Sequence, residues 1–332
     1  MEFALTLEQR QFDDSLRSFL ADRLPMEHLR AITERGDGFD APLWEGLGEL
    51  GLLGLLAPER LGGAGLDVLD AAVAAEALGH AAAPVPFTGA AMAVLALTLS
   101  GSQALQDEYV PRIASGEARF AVAFARLAGQ TGAAHAVLEG DRLSGQIAAV
   151  MDAGAATHLL VYLPDGTAAL AETAAMNLRM HRSVDRTRPV TDTSFENVPA
   201  QRLDAANQPL AAAKRVLDAG RVLLAADTLG AAQRMLDRAV AFAKERVQFG
   251  RVVGSFQGVK YMLADCVTML EPCRALVWHA AYAQDALPDE ARLMACHAKA
   301  HLGDIGREVA RITTEVHGGM GFTDLLGLHY WF

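Results

Sequence analysis

One run of residues sets the outline of this chain. From Ala211 to Glu245, in AAAKRVLDAGRVLLAADTLGAAQRMLDRAVAFAKE, Val222, Leu229 and Leu236 recur at a spacing of seven. Ala226, Gln233 and Val240 fill the alternate turn. The stripe has helical width, and a long helix with an apolar face is stable only when other helices cover it. SFQGVKYMLADCVTMLEPCRALVWHAAYAQD supplies a second helix and PDEARLMACHAKAHLGDIGREVARITTEVH a third, and the tail GGMGFTDLLGLHYWF begins a fourth element. Long helices joined by short loops predict an antiparallel four-helix bundle over residues 208–332.

The first third is helical too. Thr6 followed by Gln9 fits a capping box, and Phe12, Leu16, Phe19 and Leu20 then share a face. APLWEGLGELGLLGL is a helix ended by Gly51 or Gly54, and the glycines of APERLGGAGLD make a loop. VLDAAVAAEALGH is a helix with Gly79 as its stop, and more helix runs to about Ile113. Residues 1–118 thus read as an N-terminal helical domain. From 119 to 207 the segments shorten and alternate, with EGDR and PDG as hairpin turns. This predicts a small antiparallel β domain in the middle, with DRTRP as loop or edge. The fold class is mainly α with a small β domain.

Composition excludes several functions. A formal charge of −11 argues against nucleic acid or an anionic membrane as partner. The most apolar window, AAPVPFTGAAMAVLALTLSGS, holds prolines, glycines and hydroxyls and reads as a buried helix rather than a membrane span. MEFALTLEQRQF lacks the pattern of a signal peptide. Cys266, Cys273 and Cys296 form no CxxC pair, so buried thiols in a reducing cytoplasm are expected. His297 and His301 are one helical turn apart but lack the HExxH context of a zinc site. The expectation is a half-buried or solvated helical pair and no metal. GDG at 36–38 has no strand-to-helix setting and supports no Rossmann site.

Four stretches, in this order, resemble the acyl-CoA dehydrogenase family: LWEGLGELGLLGLLAPERLGGAGL, DRTRPVTDTSFENV, ERVQFGRVVGSFQGVKYMLAD and VHGGMGF. The third is the most specific. The resemblance implies an FAD-dependent α,β-desaturation of an acyl-CoA thioester, with an electron-transfer flavoprotein-like acceptor. It also implies that RVQFGRVVGSFQ, residues 246–257, reaches the cofactor of a neighbouring subunit, so that the protein is at least a dimer, homomeric or heteromeric. The implied cofactor-binding residues are Arg246, Gln248, Phe249, Gln257, Gly318 and Gly319, with Arg221 close to flavin and substrate.

Their chemistry suits those roles. Arg246 is a fixed-charge fork for a diphosphate. Gln248 offers amide donors and acceptors, and Phe249 a flat apolar face for a ring. Gly250, Gly318 and Gly319 remove side chains where something must come close. A plainer reading stays open: Arg246 and Lys244 as cations at a helix C-terminus, Phe249 and Phe256 as core staples, the glycine pair as a helix stop.

The chain departs from the family at the base. The proton alpha to the thioester must go to a positioned carboxylate. One family source is a Glu in a YEGT-like segment, and the sequence ends at Phe332 before one. The other is a Glu before an Arg early in this helix, where LDAGRVLL puts Gly220. Asp218 and Asp227 are poor substitutes by position, so the catalytic residue is unknown. VAFARLAGQTGAAH and SGQIAAVMDAGAAT stand where the family carries its Thr-Glu-Pro, Gly-Ser-Asp and tryptophan, and Glu315 stands for a common glutamine. A carboxylate beside a diphosphate needs to point away or pair. Two functions therefore compete: a dehydrogenase chain, and a non-catalytic partner subunit that completes the FAD site of a homologous chain. The APVPF-type N-terminal domain resembles subunits of heteromeric enzymes for steroid-derived or ring-bearing acyl chains.

Overall fold

The computed structural model describes residues 4–129 and 135–332. In chain order its helices are α1 (Leu7–Arg23), α2 (Met26–Arg35), α3 (Ala41–Glu49), α4 (Val68–Ala81), α5 (Phe87–Ser100), α6 (Gln103–Ala114), α7 (Pro209–Glu245), α8 (Gln257–Ala286) and α9 (Pro288–His317). Between α6 and α7 lie strands β1 (Phe120–Ala123), β2 (His135–Glu139), β3 (Arg142–Met151), β4 (His158–Tyr162), β5 (Ala168–Glu172), β6 (Asn177–Met180), β7 (Val190–Pro199) and β8 (Gln201–Leu203). The fold is mainly α with a small β region, as the segment pattern predicts. The chain forms two compact units. One holds the residues up to Arg30, Ala72–Ala83 and Arg221–Phe332; the other holds Ala31–Ala71 and Pro84–Gly220.

In the first unit the predicted stripe is the buried face of α7: Val222, Ala226 and Leu229 are fully buried, and Leu236 nearly so. α8 and α9, separated by Leu287 alone, fold back on each other. Thr6 and Gln9 make the predicted capping box at α1, each side chain bonding the other's backbone N–H. Gly79 does not stop α4. A Cβ there would lie 2.1 Å from the Asp227 carbonyl, and one on Gly230 would lie 1.9 Å from that of Glu76. The two glycines let α4 and α7 touch backbone to backbone. Buried Glu76 then ties α4 to Arg274 on α8 and, at 3.6 Å, to Arg17 on α1. The tail, read from the sequence as the start of a fourth element, makes two 3₁₀ turns, Gly318–Phe322 and Leu328–Tyr330. Four glycines from 318 to 327 explain this, since glycine is among the poorest helix formers.

In the second unit two four-stranded sheets, ordered β1-β4-β5-β8 and β2-β3-β7-β6, enclose one apolar core. Leu143, Ile147 and Phe195 meet Leu159, Val161 and Ala169 there. EGDR turns β2 into β3, and PDG turns β4 into β5, as predicted. Asp165 Oδ1 fixes the second turn by accepting from the Thr167 N–H and hydroxyl. One pairing is parallel, β1 with β4, because the chain crosses to the other sheet through β2 and β3 before returning. After β1, Ala125–Ala128 forms a 3₁₀ turn, and residues 130–134 of VAFARLAGQTGAAH lie outside the described residues. Among the described residues no helix is long and apolar enough to cross a membrane.

Candidate functional site

The exit of α7 is a small hairpin, which the sequence reading treats only as a helix end. The Arg246 N–H still bonds the Phe242 carbonyl at 2.9 Å, and β9 (Val247–Gln248) then pairs antiparallel with β10 (Arg251–Val252). Phe249 and Gly250 form the two-residue loop with φ of 54° and 76°. Positive φ at both central residues is what a type I′ hairpin requires. Glycine adopts it freely, whereas a bulky aromatic does so only under constraint from its surroundings. Phe249 is nonetheless 90% exposed. Beneath it Phe256 stands edge-on at 6.1 Å, and the Arg251 guanidinium lies 3.9 Å over the Phe256 ring. The Val253 N–H closes the hairpin on the Arg246 carbonyl at 2.7 Å. Arg246, Gln248 and Gln257 are exposed; Gln248 donates to the Val247 carbonyl and Gln257 to the Tyr261 hydroxyl. The tip is thus a buttressed presentation of polar and aromatic groups, with Phe249 outside the core.

Gly318 and Gly319 follow α9 directly. The ring of His317, the last residue of α9, lies 4.7 Å from that of Phe242 on α7, so the exits of the two helices are neighbours. Gly318 has φ 59° and ψ −143°, a conformation essentially reserved for glycine. An added Cβ on either glycine would meet nothing within 4 Å, so the backbone there is open to close approach, although the Gly318 N–H bonds the Glu315 carbonyl. Burial lowers the His317 pKa, and Nδ1 lies 2.7 Å from the Thr313 carbonyl, which makes it the donor of a neutral ring. Glu315 does pair: Arg311 lies 3.0 Å away and also holds Glu308 at 2.6 Å. A cavity of about 830 Å³ opens alongside, with Gly318, Glu315 and Arg311 on its polar side and Met235, Ala310 and Trp331 on its apolar side.

Arg221 is not part of this cluster. It lies on the same helix twenty-five residues before Arg246, so about 37 Å away along the axis. The structure sets Arg246, Gln248 and Phe249 at one hairpin, Gln257 at the start of α8 just after it, and Gly318 and Gly319 beside its root. Half-buried Arg221 stands at the far end. Next to it the position of the absent base is closed. A Cβ on Gly220 would come 2.4 Å from the Met92 sulfur and 3.4 Å from its Cγ. Asp218 is 4% exposed, and Asp227 gives its carbonyl to the α4 contact.

Cys266 and Cys273 are fully buried, and burial pushes the Cys266 thiol up to about 11. His297 and His301 are exposed, edge to face at 6.2 Å. Among the described residues no three His, Cys, Asp or Glu side chains gather as metal ligands. Sequence reasoning passes over Arg17, Arg234 and Arg238, which line a second cavity together. The available signal is the like-charged i, i+4 pair on α7, which by itself is unfavourable.

The family model described as acyl-CoA dehydrogenase, N-terminal domain, matches residues 6–117, and that for the C-terminal domain matches 207–332. The acyl-CoA dehydrogenase IpdE2 of Mycobacterium tuberculosis is 30% identical over 98% of this chain and 90% of its own length. A variant of the Tcur3481–Tcur3483 steroid ACAD superposes with a TM-score of 0.86 at 32% identity, over 98% of this chain and 91% of that one. The ChsE4–ChsE5 complex of Mycobacterium tuberculosis gives a TM-score of 0.87 at 26% identity, over 100% and 92%.

Proposed function

The chain belongs to the acyl-CoA dehydrogenase family, and we propose that it works as one chain of an FAD-dependent assembly that α,β-desaturates a CoA thioester. The observation that carries this is the outward-turned hairpin. Phe249 is held in a strained turn, 90% exposed and buttressed from behind, while Arg246 and Gln248 flank it in the open. Exposure of an aromatic in this way is explained by a ligand or subunit that covers it.

The residues present fit FAD, which when bound supplies the acceptor for the substrate's β-hydride. Arg246 neutralises the diphosphate through a charge-assisted fork. Gln248 and Gln257 offer amide hydrogen bonds, and Phe249 a ring face. Gly318 and Gly319 let a ligand approach the backbone without a Cβ in the way, the Gly318 N–H itself being bonded to the Glu315 carbonyl, and Arg311 offsets the charge of Glu315. Arg221, distant on the same helix, serves the flavin and substrate end of a different site in the assembly. That division between the two ends of α7 favours an oligomer in which neighbours share each site.

One observation favours the partner-subunit reading over a self-sufficient dehydrogenase. Proton abstraction alpha to the carbonyl needs a carboxylate within hydrogen-bond reach, and Met92 occupies the space into which residue 220 would project. We therefore place the base elsewhere than at this position of α7, and propose that this chain completes the FAD site of a homologous chain. The pairing in ChsE4–ChsE5 and the steroid ACAD named above support a heteromeric assembly and a steroid-derived or ring-bearing acyl group. The electron acceptor is an electron-transfer flavoprotein-like carrier, and the reaction is cytoplasmic.

The test is expression of this chain alone and beside an adjacently encoded homologue. Flavin and acyl-CoA desaturation are expected only in the co-expressed complex. A yellow, active lone chain would show the partner reading to be wrong.

A further inference from the structure

A second cavity, of about 460 Å³, lies within the first unit between α1, the start of α2, α4, α7 and the tail. Its polar wall carries Arg17, Arg234, Arg238 and His80, and its lining contains no Asp or Glu. Arg234 and Arg238 both lie over the Trp331 ring, at 5.9 and 5.1 Å from its centroid. The lining also holds the apolar Leu20, Leu24 and Leu29.

The surrounding carboxylates are already committed. Asp13 holds Arg17 at 2.8 Å, and Glu76 is shared between Arg17 and Arg274. Asp237 lies 3.4 Å from His80 and accepts from Gln233 at 2.8 Å. Arg238 donates to the Leu326 carbonyl, a neutral partner. Asp237, three residues on, feels the Arg234 charge but is itself held by His80 and Gln233. Burial lowers the Arg238 pKa, helped by the charges of Arg234 and Arg30, which marks a local excess of positive charge. Half-buried cations one helical turn apart repel each other, and an anion seated between them relieves that repulsion.

We propose that this cavity binds an amphipathic organic anion, a carboxylate head on a compact apolar body. The head lies between Arg234 and Arg238 at the Trp331 ring, and the body lies against Leu20, Leu24 and Leu29. The volume falls in the range of about 300–1,000 Å³ typical of organic-ligand pockets and exceeds what a bare inorganic ion needs. The site is separate from the hairpin: Arg238 is eight residues before Arg246, about 12 Å along α7.

Octanoate and inorganic phosphate serve as probes, titrated into the assembled protein and followed by tryptophan fluorescence. Trp331 is the reporter, with Trp331→Phe as the signal control. Arg234→Gln is the test variant, because the contact it loses is the one with Trp331. Octanoate is expected to give a saturable change that W331F lacks, that phosphate matches at least tenfold more weakly, and that Arg234→Gln weakens at least tenfold, the size of one charged hydrogen bond. The absence of saturation, an unchanged affinity in R234Q, or a signal that persists in W331F would overturn the site. Phosphate binding as tightly as octanoate would overturn its amphipathic character.

Discussion

Gly220→Ala tests the closure of the base position by a measurement of stability alone. In a helix interior, alanine gains about 0.5–1 kcal/mol over glycine. Here the new Cβ would sit 2.4 Å from the Met92 sulfur, in a part of α5 that is buried on every side from Phe87 to Val94. Ordinary contact begins near 3.4 Å, so the thioether must move by about 1 Å, and overpacking of that kind costs about 1–3 kcal/mol. The net expectation for G220A is a loss of about 1–2 kcal/mol. Met92→Ala alone opens a cavity and costs about 2–5 kcal/mol. In the M92A background the clash is gone, so Gly220→Ala turns stabilising by about 0.5–1 kcal/mol. Urea denaturation of the four variants, followed by circular dichroism and tryptophan fluorescence with m compared throughout, closes the cycle. If Gly220→Ala costs the same in both backgrounds, residue 220 and Met92 do not share space and the base position is not closed by packing.

Other consequences can be measured directly. Glu76→Ala leaves Arg274 without its buried carboxylate and is expected to cost about 3–5 kcal/mol in denaturant unfolding; a loss under about 1 kcal/mol would contradict the clasp between α1, α4 and α8. Burial lowers the pKa of both His158 and His317 in the folded chain, so the unfolded chain binds more protons below about pH 6.5. The urea midpoint is therefore expected to be full above that value and to fall on acidification through the lowered pKa values, with a flatter profile in H158Q/H317Q. A midpoint that rises toward pH 5 would refute this. A thiol reagent at pH 8 is expected to modify half-buried Cys296 in the native protein and to spare Cys266 and Cys273 until unfolding; equal rates for all three would be incompatible with their burial.

What the sequence makes legible is local. The capping box of Thr6 and Gln9, the EGDR and PDG turns and the α7 stripe each depend on residues within a few positions, and each lies in the structure where its chemistry puts it. Non-local features escape. The parallel β1–β4 pair needs the chain to leave the sheet and return, and no short-range signal encodes that. Gly79 looks like a helix stop because the backbone of Asp227 that demands it is far away in sequence. The 247–252 hairpin is hidden because its first turn residue is Phe249, where asparagine or glycine would announce a type I′ turn. The site shows the same division. The identities of Arg246, Gln248, Gly318 and Gly319 are visible through their motifs, whereas the adjacency of the two helix exits rests on the Phe242–His317 contact. Met92 filling the space at Gly220 is likewise a contact between distant segments.

Arg246 is proposed above as the cation that meets a bound flavin diphosphate in the assembled protein. Arg246 and Phe249 are exposed, so Arg246→Ala leaves the fold of the chain intact, and the direct measurement is the flavin-to-protein ratio of the purified complex carrying R246A. The account predicts a ratio reduced at least tenfold under matched dilution, with the circular dichroism of the complex unchanged. Full flavin occupancy in R246A would contradict it.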